Sequence, residues 1–266
     1  MEAFSYFSLR KNKFMESLQC LNCEETVERN YCSTCGQKTA THRITLKHFL
    51  FHDIIHGVWH LDKGILFTLK QALIRPGRAA LDYISGKRVR YYNVFYLIML
   101  LIGLGIFIEH LYVDFTSQYV TYSKLPIAEN DASLEFLGKY VKFFLLLAIP
   151  VYAFNSFLLF NKKRLLYSEH LIVFGMLFLG IILITLLGNV LFFAEFNENT
   201  YLLADWSNFI VPILLVPYLI NGLYGAFGRD YTKISFVIRS LIYIVLIVAE
   251  LKVLAHIVRF YLSNYS

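Results

Sequence analysis

Long apolar segments restrict this chain to folds that cross a lipid bilayer. The segment that starts at Val94 reads VFYLIMLLIGLGIFI and carries no charged residue before Glu109. About twenty apolar residues in a helix match the roughly 30 Å hydrocarbon core of a bilayer. The runs are continuous rather than alternating, which favours helices over the strands of a barrel. Five spans are predicted, at about 94–113, 140–160, 171–194, 209–227 and 234–254.

Composition supports an all-α, polytopic membrane bundle. Of the 266 residues, 57% are hydrophobic and 17% are charged, which is less charge than a soluble domain of this size usually carries. The net charge of +6 is concentrated in the first ninety residues and in short loops. This placement indicates contact with a lipid surface, and nucleic acid is not expected as a partner.

The loops between the spans set the predicted orientation. Basic residues follow Asn161 at 162–164 and occur again at Arg229 and Lys233, whereas the loop at 195–208 has three acidic residues and no Lys or Arg. Positively charged loops stay in the cytoplasm. With five spans, the N-terminus is therefore predicted in the cytoplasm and the C-terminus outside. The bundle is assigned to residues 93–266.

The cysteines form the strongest local motif. Cys20-Leu21-Asn22-Cys23 is followed after eight residues by Cys32-Ser33-Thr34-Cys35-Gly36. Two Cys-x-x-Cys turns can supply a tetrahedral four-thiolate shell. Residues 1–19, assigned to a flexible segment, contain no secretory signal, so a reducing compartment and a metal are expected rather than a disulfide. One structural Zn²⁺ is predicted within a zinc-ribbon-like knuckle at 20–44; iron or a redox dithiol is the alternative.

Neither helical stretch within residues 45–92 is long and apolar enough to span a bilayer. Thr45 to Trp59 and the stretch after Gly64 show helical apolar spacing, and Pro76-Gly77 breaks the second helix. They are interpreted as amphipathic helices lying on the cytoplasmic leaflet, with a small soluble helical domain as the alternative. Predicted anchors for lipid headgroups, just before the first span, are Lys87, Arg88, Arg90, Tyr91 and Tyr92.

Four histidines recur at intervals of four residues in this region. They are His48, His52, His56 and His60. Residues four apart lie on one helix face, where a second metal could bind or a pH-sensitive contact form. The competing interpretation is an amphipathic stripe at the headgroup level.

A few polar residues lie inside the predicted spans. They are Asn155, Asn189, Asn221 and Arg239. Such groups can line a pathway, yet amides also bond helices to one another, and Arg239 is close enough to the inner end to reach the headgroups. No motif predicts a catalytic residue.

Several short motifs follow one another in a fixed order. They are Cys20-x-x-Cys23, Tyr31-Cys32-x-x-Cys35-Gly36-Gln37, Arg43-Ile44-Thr45, Asp62-Lys63-Gly64 with Thr68, Pro76-Gly77 and Tyr83-Ile84-Ser85-Gly86-Lys87-Arg88. Over about residues 20–96 the chain resembles an uncharacterised bacterial family, catalogued as a domain of unknown function. The resemblance implies an N-terminal zinc ribbon joined to a multi-pass membrane region, and no activity. One position departs from it: Val94 follows Asn93 where proline is expected.

The preferred functional hypothesis is a non-enzymatic scaffold or regulatory protein. Its zinc module would dock a protein partner at the cytoplasmic face, and the protein could also form a homo-oligomer. The alternative is a small-solute or ion transporter, suggested by Pro212, Pro217 and Asn221 in one span. A membrane enzyme that uses the histidine stripe is the third hypothesis.

Overall fold

The computed structural model describes residues 18–27, 30–39, 64–123, 148–196 and 200–265. These residues are mostly helical, with one small antiparallel pair of strands near the N-terminus. The histidine stripe and the predicted helix from Thr45 lie outside the described residues. The elements, in chain order, are β1 Leu18–Gln19, β2 Thr26–Val27, α1 Gly64–Ile74, α2 Pro76–Ile84, α3 Val94–Ser123, α4 Ala148–Leu159, α5 Tyr167–Leu191, α6 Tyr201–Phe227 and α7 Lys233–Tyr265.

Four helices in the described part of the chain are long and apolar enough to cross a bilayer. The candidate spans are Val94–Gln118, Tyr167–Phe196, Leu202–Asp230 and Lys233–Val258. They overlap the predicted first, third, fourth and fifth spans. The predicted second span, 140–160, is described only from residue 148, where α4 is helical. A multi-pass membrane protein fits these helices, and the count of five crossings stays a prediction.

Helix α3 starts at the residue that departs from the resemblance. The Asn93 side chain accepts hydrogen bonds from the backbone N–H groups of Phe95, at 3.0 Å, and Tyr96, at 3.5 Å. Asn93 therefore caps the helix, because the first N–H groups of a helix have no partner within it. Val94 takes the first helical position, which also accepts proline. Valine and proline are thus compatible with the same helix start.

Helix α5 is the centre of the bundle. Its residues from Ser168 to Gly180 are buried without interruption, and the hydrophobic core is arranged around them. Helix α3 runs alongside, with the Phe95 ring over Gly175 and Gly105 beside Leu186. Helix α6 continues through Pro212 and Pro217 without a break. It also packs against α5.

Helices α1 and α2 form a hairpin that packs against α5 and α6. The backbone N–H of Tyr92 donates to Thr68 Oγ1 at 2.8 Å, which places the α1 side of the hairpin beside the start of α3. Ala72, near the end of α1, is fully buried, as are Ala79 and Ala80 of α2. The sequence analysis interpreted this region as amphipathic helices lying on the lipid surface, which accounts for the pattern of apolar residues. It did not predict these contacts with the candidate spans.

Candidate metal centre

The cysteine module, residues 18–27 and 30–39, consists of two matching turns. In the first, Cys20 N–H donates to Glu25 O at 2.8 Å and Glu24 N–H to Cys20 O at 2.9 Å. In the second, twelve residues later, Cys32 N–H donates to Gln37 O at 2.8 Å and Gly36 N–H to Cys32 O at 2.9 Å. Each turn is closed by a backbone pair, Gln19 with Thr26 and Tyr31 with Lys38.

Both turns need a left-handed residue just after their second cysteine. Gly36 has a φ of +73° and Glu24, at the equivalent place, has a φ of +64°. Glycine adopts this conformation readily, whereas a residue with a Cβ atom is strained there. The sequence offers a glycine at position 36 but gives no sign that Glu24 would adopt the same conformation.

The four thiols come together at one point. Their sulfur atoms all lie within 4.8 Å of one another, and the cluster could hold a metal ion. Cys20 Sγ lies 3.5 Å from Cys35 Sγ, and Cys23 Sγ lies 3.6 Å from Cys32 Sγ. Zinc–sulfur bonds of about 2.3 Å give tetrahedron edges of about 3.8 Å. The residues therefore fit a four-thiolate metal ion with little movement.

Electrostatics show why four adjacent thiols favour a cation. Burial works to raise the pKa of Cys35, but hydrogen bonds from the Asn22 side chain, the Gln37 backbone and the neighbouring thiols lower it to about 6. For Cys23, the Glu25 backbone lowers the pKa, yet burial and the other three thiols raise it to about 12. One thiolate thus opposes the ionisation of the next. A divalent cation would allow all four to ionise.

Two side chains from the turns bind the loop between α2 and α3. The Arg90 guanidinium donates from Nε to Asn22 Oδ1 at 2.9 Å and from Nη2 to Asn22 O at 2.8 Å. Gln37, which is buried, accepts a hydrogen bond from Val89 N–H at 3.2 Å. Asn22 lies between the first two cysteines, and Gln37 follows the last turn. The geometry of the turns therefore sets where the module touches the membrane region.

The same loop is held to the hairpin by Asp82 of α2. Lys87 Nζ lies 3.6 Å from Asp82 Oδ1, and the Tyr91 hydroxyl donates to Asp82 Oδ2 at 3.3 Å. The Tyr91 ring also meets Phe67 of α1 edge to face. Residues 82–92 therefore connect the cysteine module and the loop to the hairpin and to the start of α3.

The five predicted headgroup anchors all lie in or beside this loop and make protein contacts. Tyr91 is buried, and its hydroxyl donates to Asp82. Arg88 Nε donates to Tyr83 O at 3.4 Å, and its guanidinium lies over the Tyr83 ring. Arg90 binds the cysteine module. Binding of lipid headgroups by these residues stays a prediction.

The predicted polar residues inside the spans are not brought to one place. Asn155 is buried on α4 and donates to Glu250 Oε1 of α7 at 2.8 Å. Asn189 and Asn221 are exposed on α5 and α6. Arg239 donates to the Leu159 carbonyl oxygen and lies over the Tyr231 ring. Asn155 therefore joins two helices, the role that amides commonly have in bundles.

A buried serine–histidine contact was missed by the sequence analysis. Ser156 Oγ of α4 lies 2.6 Å from His170 Nδ1 of α5, and both side chains are buried. The His170 ring stacks on Phe227 of α6 at 5.3 Å between centroids. This contact joins three helices. Only the position of a histidine at the start of an apolar run could have drawn attention to it.

Fold and site together define a class: a helical membrane protein that carries a metal-competent cluster of four cysteines. A family described as "Protein of unknown function (DUF3667)" has a model that matches residues 62–103. The match covers the hairpin, the loop and the beginning of α3, and supports the predicted resemblance to an uncharacterised family over this part. No curated protein and no solved structure matches the chain.

Proposed function

We propose that this protein is a non-enzymatic scaffold or regulatory protein of the bacterial inner membrane. Five spans anchor it with the N-terminus in the cytoplasm, and a structural Zn²⁺ folds the cysteine module. The module is held against the cytoplasmic end of the helices and docks a protein partner there. Four sulfur ligands leave no open coordination position, which argues for a structural ion rather than a catalytic one.

The observation that carries this proposal is the double hydrogen bond from Arg90 to Asn22. A module on a free linker would sample many orientations, whereas this contact and the Gln37 contact present one fixed face. On the module, Leu21 and Tyr31 are exposed large apolar side chains. Exposed aromatic and aliphatic side chains on a rigid surface are the groups that most often anchor a partner.

The transporter hypothesis has less support from the geometry. It depended on an interrupted helix at Pro212 and Pro217, and α6 is continuous there. Asn221 is exposed rather than directed into the described bundle. The enzyme hypothesis depends on histidines outside the described residues.

Two variants separate the metal from the docking surface. Cys20→Ser with Cys35→Ser should lose the zinc and the partner while membrane insertion stays normal. Leu21→Ser with Tyr31→Ser should keep one zinc per chain and lose the partner. Metal analysis and affinity purification in mild detergent, with identification of co-purifying proteins, measure both. An unchanged set of co-purifying proteins in the two variants would refute docking by the module.

A further inference from the structure

The apex of the α1–α2 hairpin, residues 72–77, is fixed inside the bundle by a hydrogen bond from another helix, which replaces one that α1 cannot make. Pro76 stands four residues after Ala72 and has no N–H, so the Ala72 carbonyl lacks its usual helical donor. The Tyr218 hydroxyl of α6 supplies it, at 2.7 Å, and lies 3.2 Å from the Leu177 carbonyl of α5. A buried carbonyl has to find such a partner. The apex is therefore hydrogen-bonded to α6, through a hydroxyl that also lies against α5.

Close backbone packing leaves no room for lipid or water behind the apex. A Cβ atom on Gly77 would lie 2.0 Å from the Gly222 carbonyl oxygen and 2.5 Å from the Ala226 nitrogen. A Cβ atom on Gly180 would lie 1.8 Å from the Tyr218 hydroxyl. Small residues permit this approach between helices in membranes.

The hairpin enters and leaves at the same end of the bundle. At its beginning, Gly64 lies beside the backbone of Arg90 and Tyr92, just before α3. At its end, Ser85 and Lys87 lead into the same loop. The Tyr218 hydroxyl that bonds to Ala72 at the apex also lies beside the carbonyl of Leu177, ten residues beyond the first residue of α5, or about 15 Å along the helix axis. That is roughly half of the hydrocarbon thickness.

The outer face of the hairpin is apolar and basic. Leu66 is 79% exposed and Ile74, at the apex, is 61% exposed. Lys70, one turn from each of them on α1, is exposed too, and so is Arg78 on α2. Arg75 is about half exposed, and it bonds to Gln71 and lies 3.9 Å from Asp82. Apolar residues with long cations beside them are typical of the boundary between acyl chains and headgroups.

We propose that the α1–α2 hairpin is a re-entrant element, whose outer face contacts anionic phospholipids of the leaflet on the module's side. Its inner face is already covered by α5 and α6, which are themselves candidate spans, and among the described residues its outer side chains stay exposed, so at this depth that face meets the bilayer. Ile74, at the apex, meets acyl chains, and the long side chains of Lys70 and Arg78 extend along this face toward the headgroups. The positive charge on this face selects anionic over zwitterionic lipid.

Photo-crosslinking in vesicles tests the position of the hairpin. The full-length protein, with p-benzoylphenylalanine in place of Ile74, is reconstituted in mixed phosphatidylcholine and phosphatidylglycerol and irradiated. Mass spectrometry should find acyl-chain adducts. The same probe at Phe209, exposed on α6, is the positive control, and at Thr34 of the module the negative control. The absence of lipid adducts at position 74 while position 209 gives them would overturn the proposal, as would adducts to a second chain in place of lipid.

The charge of the lipid is tested by a pair of matched variants. Lys70→Gln with Arg78→Gln should reduce the enrichment of phosphatidylglycerol among the position-74 adducts by about fivefold per charge removed. Lys70→Arg with Arg78→Lys keeps both charges and should retain the enrichment. Enrichment that is the same in both variants would overturn the selection of anionic lipid.

Discussion

Tyr218→Phe is the substitution whose effect follows most directly from the structure. It removes one oxygen atom and keeps the ring in place. The Ala72 carbonyl then has no donor, because Pro76 cannot supply one. The Leu177 carbonyl loses only a second donor, since it lies inside a continuous helix.

The burial of the Ala72 carbonyl determines how much Tyr218→Phe destabilises the protein. Ala72 is fully buried, so water cannot replace the hydroxyl. Leaving a buried acceptor without a partner costs about 1–3 kcal/mol. We expect the free energy of unfolding to fall by that amount, measured by reversible denaturation in mixed detergent micelles.

A neighbouring tyrosine provides the control. Tyr224 lies on the same helix, is exposed, and makes no hydrogen bond through its hydroxyl among the described residues. Tyr224→Phe should change the free energy of unfolding by less than about 0.5 kcal/mol. If Tyr218→Phe were no more destabilising than Tyr224→Phe, the donation to Ala72 would be refuted.

Three further substitutions test other contacts. Gly77→Ala places a Cβ atom against backbone atoms of α6 and should destabilise the bundle by about 1–3 kcal/mol in the same denaturation assay, whereas Gly103→Ala meets no atom within 4 Å and should be neutral. Arg90→Ala removes both hydrogen bonds to Asn22 and should raise hydrogen exchange in residues 87–92 and in the module. Arg78→Ala leaves that contact intact and should not raise it. Equal exchange in the two variants would contradict the role of Arg90 in holding the module. Glu24→Gly should raise the thermal stability of the metal-bound module by relieving a φ of +64°, by about 1 kcal/mol, while Gly36→Ala should lower it; the opposite order would show that the turns are not equivalent.

The long apolar helices and the cluster of four cysteines could be predicted because their signals are local. A helix that crosses lipid needs a continuous apolar run, and two Cys-x-x-Cys turns indicate a four-thiolate site wherever they occur in a chain. The start of α3 was also close to the predicted one, since Asn93 precedes the apolar run. These features depend on neighbours in sequence.

The contacts that connect the parts join residues far apart in the chain, and no local pattern encodes them. Asn22 and Arg90 are 68 residues apart, and Ala72 and Tyr218 are 146 apart. The hairpin shows the same limit. Its apolar spacing is equally compatible with a lipid surface and with a neighbouring helix, and its close approach to α6 at Gly77 depends on Gly222, 145 residues later.

The identity of the ion at the four cysteines is the most direct test of the account. Elemental analysis of the purified full-length protein should find one zinc per chain, and X-ray absorption should find four sulfur neighbours at about 2.3 Å. Cys20→Ser with Cys35→Ser should bring the zinc content to zero. Iron in the same shell would change the metal and keep the module. A metal-free protein whose four thiols all react with a thiol reagent would contradict the claim that a bound ion folds the module against the membrane helices.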